Sequence, residues 1–175
     1  MTSNRAGMRQ LLERYGIIIV VAVMMIVLNF LQPEVFLSLR NLTNVFKQIA
    51  TNSLLALGMF LVILTAGIDL SVGSIVGLSA ITVTLLMQGG VNIWLAVLLT
   101  ILLTGVVIGL WNGFWVAHYN IPPFIITLGM MTIARGLALT LSKGGSVPVT
   151  NPTFSKIGGN FIPAGISGVI IVVAL

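Results

Sequence analysis

The sequence predicts an all-α fold, a polytopic transmembrane helix bundle. Three observations predict it. Hydrophobic residues make up 58% of the chain and charged residues only 6%, against about 25% charged residues in a typical soluble domain. The apolar residues fall in runs of spanning length, where a transmembrane helix needs about 20 residues. These runs do not alternate: Ile17-Ile18-Ile19-Val20-Val21-Ala22-Val23 is apolar throughout. A barrel strand alternates apolar and polar residues. Because lipid satisfies no backbone N–H or C=O, only helices and closed barrels cross a bilayer, and the pattern selects helices.

Arg5, Arg9 and Arg14 precede the first run. They resemble the n-region of a signal peptide, but the run closes on Leu28-Asn29-Phe30-Leu31-Gln32-Pro33, without a small-residue cleavage site. We read residues 1–14 as a cytoplasmic N-terminal tail and Tyr15 to Leu31 as an uncleaved first span, with the N-terminus inside because positive charge stays cytoplasmic. Residues 15–175 then form the transmembrane domain. Asn41-Leu42-Thr43-Asn44 offers N-cap chemistry for a second helix, which starts polar with Lys47 and Gln48 and turns apolar toward Ala66. Thr51, Asn52 and Ser53 are too polar for lipid and are expected to face other helices, with Asn52 a candidate for a solute path.

From Gln48 to Ala134 the only formal charge is Asp69. Gly67-Ile68-Asp69-Leu70-Ser71 breaks the run, so a helix break is expected near residues 67–71. A third span follows from Val72 to Met87, a turn at Gln88 to Asn92, a fourth span from Ile93 to Ala117 and a fifth from Phe124 to Leu141. Ser142 to Asn160 reads as a hydrophilic loop. Ile162 to Leu175 reads as a truncated sixth span, leaving the domain incomplete at its C-terminus.

Asp69 is an ionisable group inside apolar sequence, which suggests function. It equally suits a structural role, because Asp69 or Ser71 would N-cap the third helix. Gly67 fits the break. Gly73 and Gly77, and Gly105, Gly109 and Gly113, recur at four-residue spacing, which lets helix backbones approach closely. Arg135 either snorkels to an interface or meets a partner. Trp94, Trp111, Trp115 and Tyr119 read as interfacial anchors. His118 has no metal-ligand spacing around it.

The net charge of +5 is scattered over loops and ends, so no basic face for nucleic acid forms. The chain has no cysteine, three acidic residues and one histidine. It lacks a Gly-Lys-Ser/Thr phosphate loop and a His-Glu-x-x-His helix, and a Gly-x-Ser-x-Gly elbow. No metal, cofactor or catalytic residue is expected, and any energy source must come from another subunit.

The string Ala56-Leu57-Gly58 through Thr65-Ala66-Gly67-Ile68-Asp69-Leu70-Ser71-Val72-Gly73-Ser74 resembles the signature of bacterial ABC permeases for ribose and related monosaccharides (xylose, arabinose, galactose). Asn41-Leu42-Thr43-Asn44-Val45-Phe46 resembles the entry to the same helix. Pro123-Phe124-Ile125-Ile126-Thr127-Leu128-Gly129-Met130-Met131 with Arg135-Gly136 is similar to a second family motif, and Gly144-Gly145-Ser146-Val147-Pro148-Val149 fits the loop after it. The resemblance implies the N-terminal half of a permease subunit in the inner (plasma) membrane. Such a subunit pairs with a second permease subunit, as a homo- or heterodimer, and with a cytoplasmic ABC ATPase that uses ATP and Mg. A periplasmic or lipid-anchored sugar-binding protein delivers the solute. By position, Asp69, Ser71, Gly73 and Ser74 would mark the break beside the translocation path, and Phe124, Thr127 and Arg135 would belong to the second motif. The family's ATPase-docking loop belongs to its second half and has no counterpart here. The rival readings are a passive small-solute pore, a non-functional truncated membrane fragment, and an intramembrane enzyme acting through Asp69.

Overall fold

The computed structural model describes residues 3–159, and the side-chain surroundings of residues 14–155. The described residues are helical, with turns between the helices and no strand. The chain divides into two compact units, Met1–Ile49 and Ala50–Leu175.

In the first unit, α1 runs from Ser3 to Leu31, so the helix begins well before the apolar run. From Arg14 to Leu31 none of it is buried, as expected of a helix that is apolar on every side. A short turn carries the chain to α2, Leu39–Leu64, which continues into the second unit. Its N-cap is not in the Asn41 to Asn44 segment. The Ser38 hydroxyl accepts the Asn41 N–H at 3.2 Å, and Asn41 is already inside the first turn, where its amide donates to the Phe36 carbonyl at 2.8 Å.

In the second unit, α3 (Val72–Gln88) is followed by α4 (Ile93–Thr100), a π-helical segment (Ile101–Val107) and α5 (Ile108–Tyr119). Together these last three form one 27-residue apolar rod. Then come α6 (Pro123–Leu141) and α7 (Pro152–Gly159). The expected loop from Ser142 to Asn160 therefore contains a short helix. Asn151 caps it, its Oδ1 accepting the N–H groups of Thr153 and Phe154, and Pro152 takes the first helical position, where no N–H is needed. Ile162 to Leu175, the expected sixth span, lies outside the described residues.

Four helices among the described residues are long and apolar enough to cross a membrane: Arg14–Leu31, Leu39–Leu64, Ile93–Tyr119 and Pro123–Leu141. The fifth apolar helix, α3, has 17 residues, about 25 Å at 1.5 Å per residue. That is short of the roughly 30 Å hydrocarbon core, because α3 starts at the break inside the bundle.

The core joins α3, α5 and α6 through Leu78, Ile108, Met130, Ala134 and Ala138. Close approach of α3 and α6 comes from alanines: Ala134 is 0% exposed and Ala138, one turn on, is also buried. Gly73, Gly77, Gly105, Gly109 and Gly113 are expected to pack, and among the described residues no helix lies close against them. A Cβ built on any of them meets no heavy atom within 4 Å. The burial pattern is inverted relative to a water-soluble fold. Ser71, Thr84, Thr100, Thr104, Asn112 and Thr127 are buried, while most large apolar side chains are exposed. In lipid, polar groups must find partners within the bundle. Several hydroxyls do so by bonding their own helix one turn back, such as Thr84 to Ala80 and Thr100 to Ala96.

Candidate functional site

The break between α2 and α3 is a defined structure. The Gly67 N–H donates to the Val62 carbonyl at 3.1 Å and the Ala66 N–H to the Ile63 carbonyl at 2.9 Å. This Schellman closure puts Ala66 in the left-handed region, φ 56°. Gly67 comes next and is buried. A Cβ there would lie 3.3 Å from the Val62 side chain and carbonyl and 3.5 Å from the Pro123 ring, so a small residue is needed for the chain to turn beneath α6.

After the turn, Asp69 organises the start of α3. One carboxylate oxygen accepts the Ser71 N–H at 2.7 Å and the Ser71 hydroxyl at 2.6 Å. The carboxylate thus closes an Asx-type turn just ahead of α3, the Ser71 hydroxyl makes no cap bond, and the negative charge sits at the positive end of the helix dipole. Ser71 is 0% exposed, and its oxygen is also approached by the Asn112 amide nitrogen at 3.4 Å. On the other side of the segment, the Thr127 hydroxyl accepts the Leu70 N–H at 3.1 Å and faces the Ile68 carbonyl at 3.2 Å. A side chain of α6 thus meets two backbone groups of the unwound stretch, the Leu70 N–H and the Ile68 carbonyl, as buried non-helical backbone requires. Thr127 sits one turn in from Pro123, and Asn112 two turns before Tyr119. At 1.5 Å per residue the break lies roughly 6–10 Å inside the ends of its neighbours.

A cavity of about 390 Å³ opens beside this break. One wall is the glycine face Gly105, Gly109 and Gly113 with Asn112; the opposite wall is Gly67, Ile68 and Asp69, and Thr104 and Thr127 also line it. The Asn112 side chain is 8% exposed, and its Oδ1 has no hydrogen-bond partner. Thr104, in the π-helical segment, shares a 2.6 Å hydrogen bond with Ser79 of α3, and its hydroxyl also lies 2.8 Å from the Thr100 carbonyl. A second groove, of about 400 Å³, lies between α3 and α6 and is lined by Gly73, Ser74, Gly77 and Arg135.

The structure therefore brings Asp69, Ser71 and Thr127 together, with Gly67 beside them and Gly105, Gly109 and Gly113 across the cavity. Ser74, Gly73, Gly77 and Arg135 belong to the other groove. Phe124 is exposed and contributes its carbonyl, 3.4 Å from the Thr127 hydroxyl. Asn52 is exposed and lines neither space. Sequence reasoning missed Asn112, Thr104 and Ser79. The available signal was an amide, Asn112, between Trp111 and Gly113 in a span otherwise free of such groups. His118 stacks on Phe114, with ring centroids 5.5 Å apart. Among the described residues no His, Cys, Asp or Glu cluster could hold a metal.

A family model described as the branched-chain amino acid transport system permease component matches residues 41–175. Among characterised relatives, the xylose transport system permease protein of Escherichia coli K12 is 34% identical over 91% of this chain and 41% of its own length. The D-allose transport system permease protein of the same organism is 38% identical over 90% of this chain and 47% of its own. The ribose import permease protein of Bacillus subtilis is 39% identical over 93% of this chain and 51% of its own. The chain spans about half the length of the curated relatives it matches. No solved structure matches it.

Proposed function

Because the chain belongs to the family of permease components of branched-chain amino acid transport systems, we propose that it supplies the N-terminal half of the membrane subunit of an ATP-driven importer, one that moves a monosaccharide across the bacterial inner membrane. The chain is a multi-pass membrane protein, and its four spanning helices and its permease relatives fit the inner (plasma) membrane. The observation that carries the transport reading is the unwound segment from residue 65 to 71, held by Thr127 and Asp69 beside a mostly apolar cavity into which Thr65, Asp69, Thr104, Asn112 and Thr127 set polar groups. Transporters use such broken helices to expose backbone and side-chain hydrogen-bonding groups to a solute within the bundle. The choice of a sugar rests on the relatives, named for xylose, allose and ribose transport.

In this reading the chain performs no covalent chemistry. A second permease subunit completes the pathway, a cytoplasmic ABC ATPase hydrolyses MgATP to drive alternating access, and a periplasmic or lipid-anchored binding protein presents the sugar. Uptake of radiolabelled D-xylose, D-ribose and D-allose, in cells deleted for this chain and in cells that retain it, tests the reading. Deletion is expected to abolish uptake of at least one of these sugars, and restoring the chain with an ATPase subunit unable to hydrolyse ATP should not recover it. Unchanged uptake of all three would contradict the sugar reading. Uptake independent of ATP would point instead to a passive pore.

A further inference from the structure

The second groove, of about 400 Å³ between α3 and α6, holds polar groups that the break does not use. Its α3 wall is Gly73, Ser74 and Gly77, and Met131 and Arg135 belong to α6. Arg135 is exposed. Among the described residues, neither its guanidinium nor the Ser74 hydroxyl has a hydrogen bond or an ion pair. Arg135 lies twelve residues from the start of α6 and six from its end, or about 18 and 9 Å along a spanning helix. A charge within a span pairs with another or with backbone carbonyls.

The chain's own carboxylates do not serve. They are Glu13, Glu34 and Asp69. Glu13 precedes the first apolar run and Glu34 follows it. Asp69 already holds Ser71, and the adjoining Leu70 N–H bonds Thr127, eight residues before Arg135 on α6, or about 12 Å away along the helix. A second copy in the same membrane orientation carries its Asp69 at that same level, so it does not reach Arg135 either.

The walls suit one kind of occupant. The guanidinium offers N–H donors and no acceptor, and the serine offers an O–H. A carboxylate accepts from both and takes a guanidinium bidentately. A Cβ built on Gly73 or Gly77 meets no heavy atom within 4 Å, and so smooth a wall admits a helix backbone at close range. A lipid tail supplies no acceptor. The xylose, allose and ribose permeases hold roughly half of their length outside the part matched here, so an assembled permease of this family has further helices to place.

We propose that the groove between α3 and α6 is a contact between helices, filled by a membrane helix from the other half of the permease that sets an aspartate or glutamate against Arg135. This rests on the permease reading above and is independent of the solute moved.

The test uses membranes that carry the complete importer with Arg135→Lys. Dicyclohexylcarbodiimide condenses a lysine amine with a carboxylate in contact to give an amide, and leaves as the urea. Mass spectrometry is expected to find the introduced lysine joined to an aspartate or glutamate of a spanning helix outside residues 1–175, a link that wild type lacks. Ser74→Lys, with Arg135 in place, puts the same question from α3 should Arg135→Lys fail to insert. Gly77→Phe, whose Cβ meets nothing in this chain, fills the groove and should abolish the link at equal insertion. No protein link from either lysine, as a lipid headgroup in the groove would give, overturns the proposal. So does a link to Glu13, Glu34 or Asp69, or a link that survives Gly77→Phe. Sugar uptake by the wild-type cells keeps the two readings apart. Intact uptake without the link removes only the groove assignment, whereas the link in an assembly that moves no sugar keeps the groove and removes the sugar reading.

Discussion

At the scale of single residues, Asp69 and Thr127 do the work that keeps an unwound strand stable inside an apolar bundle. Asp69 takes the Ser71 N–H and hydroxyl, and Thr127 takes the Leu70 N–H while facing the Ile68 carbonyl. The sequence leaves two readings open for Asp69, a cap or a residue of the path; in the structure one oxygen closes the turn ahead of α3, and the residue also lines the cavity. Thr127 offers a clean test. Thr127→Val leaves the part-buried Leu70 N–H without its acceptor and should lower stability by about 1 kcal/mol, read as a lower melting temperature of the purified protein in detergent. Thr127→Ser keeps the hydroxyl and should stay near wild type. Equal melting temperatures for the valine and wild-type proteins would mean that the hydroxyl contributes nothing to the break.

The helices show which parts of the fold can be read from sequence and which cannot. Composition and run length give the apolar helices, and the Gly67 to Ser71 string gives the place of the break. The helix ends are harder, because capping is decided by single side chains. Ser38, not Asn41 to Asn44, caps α2, and the polar residues before Tyr15 continue α1 back to Ser3. The π-helical segment carries no strong sequence mark; the Thr100 and Thr104 hydroxyls that bond the carbonyls of Ala96 and Thr100 accompany it. Four-residue glycine spacing announces a smooth helix face but does not say what lies against it. Here the alanines Ala134 and Ala138 make the close contact, and the glycines open the cavity. The end of α2 makes its own prediction. Ala66 holds a left-handed conformation, φ 56°, that costs an L-residue about 1–2 kcal/mol. Ala66→Gly removes that strain and adds some unfolded-state entropy, so a modest rise in melting temperature is expected. A fall would show that the Ala66 methyl group makes a compensating contact.

Among the described residues of the second unit, Ser71, Thr84, Thr100, Thr104, Asn112 and Thr127 are buried beside a small apolar core, while most large apolar side chains are exposed. That inversion follows from a solvent that cannot hydrogen-bond, and low charge with long apolar runs forecasts it from composition alone. The cavity was less legible. Asp69, Thr127 and the three glycines of the rod are separated along the chain and meet only when α3, α5 and α6 pack, and Asn112 is recognisable only once that packing buries it. A bundle built this way transports only if its polar interior is in contact with the solute. Asp69→Asn keeps an acceptor oxygen for the Ser71 N–H while removing the charge, so insertion and folding should change little.

The most direct test is therefore sugar uptake per inserted molecule, measured for wild type, Asp69→Asn and Asn112→Ala in cells that hold the complete importer, with insertion read by quantitative immunoblotting of membranes. The account predicts near-normal insertion with uptake reduced by about tenfold, the effect of losing roughly 1.4 kcal/mol of interaction along the path. Wild-type uptake from both variants at equal insertion would contradict it, leaving the break and its cavity as architecture alone.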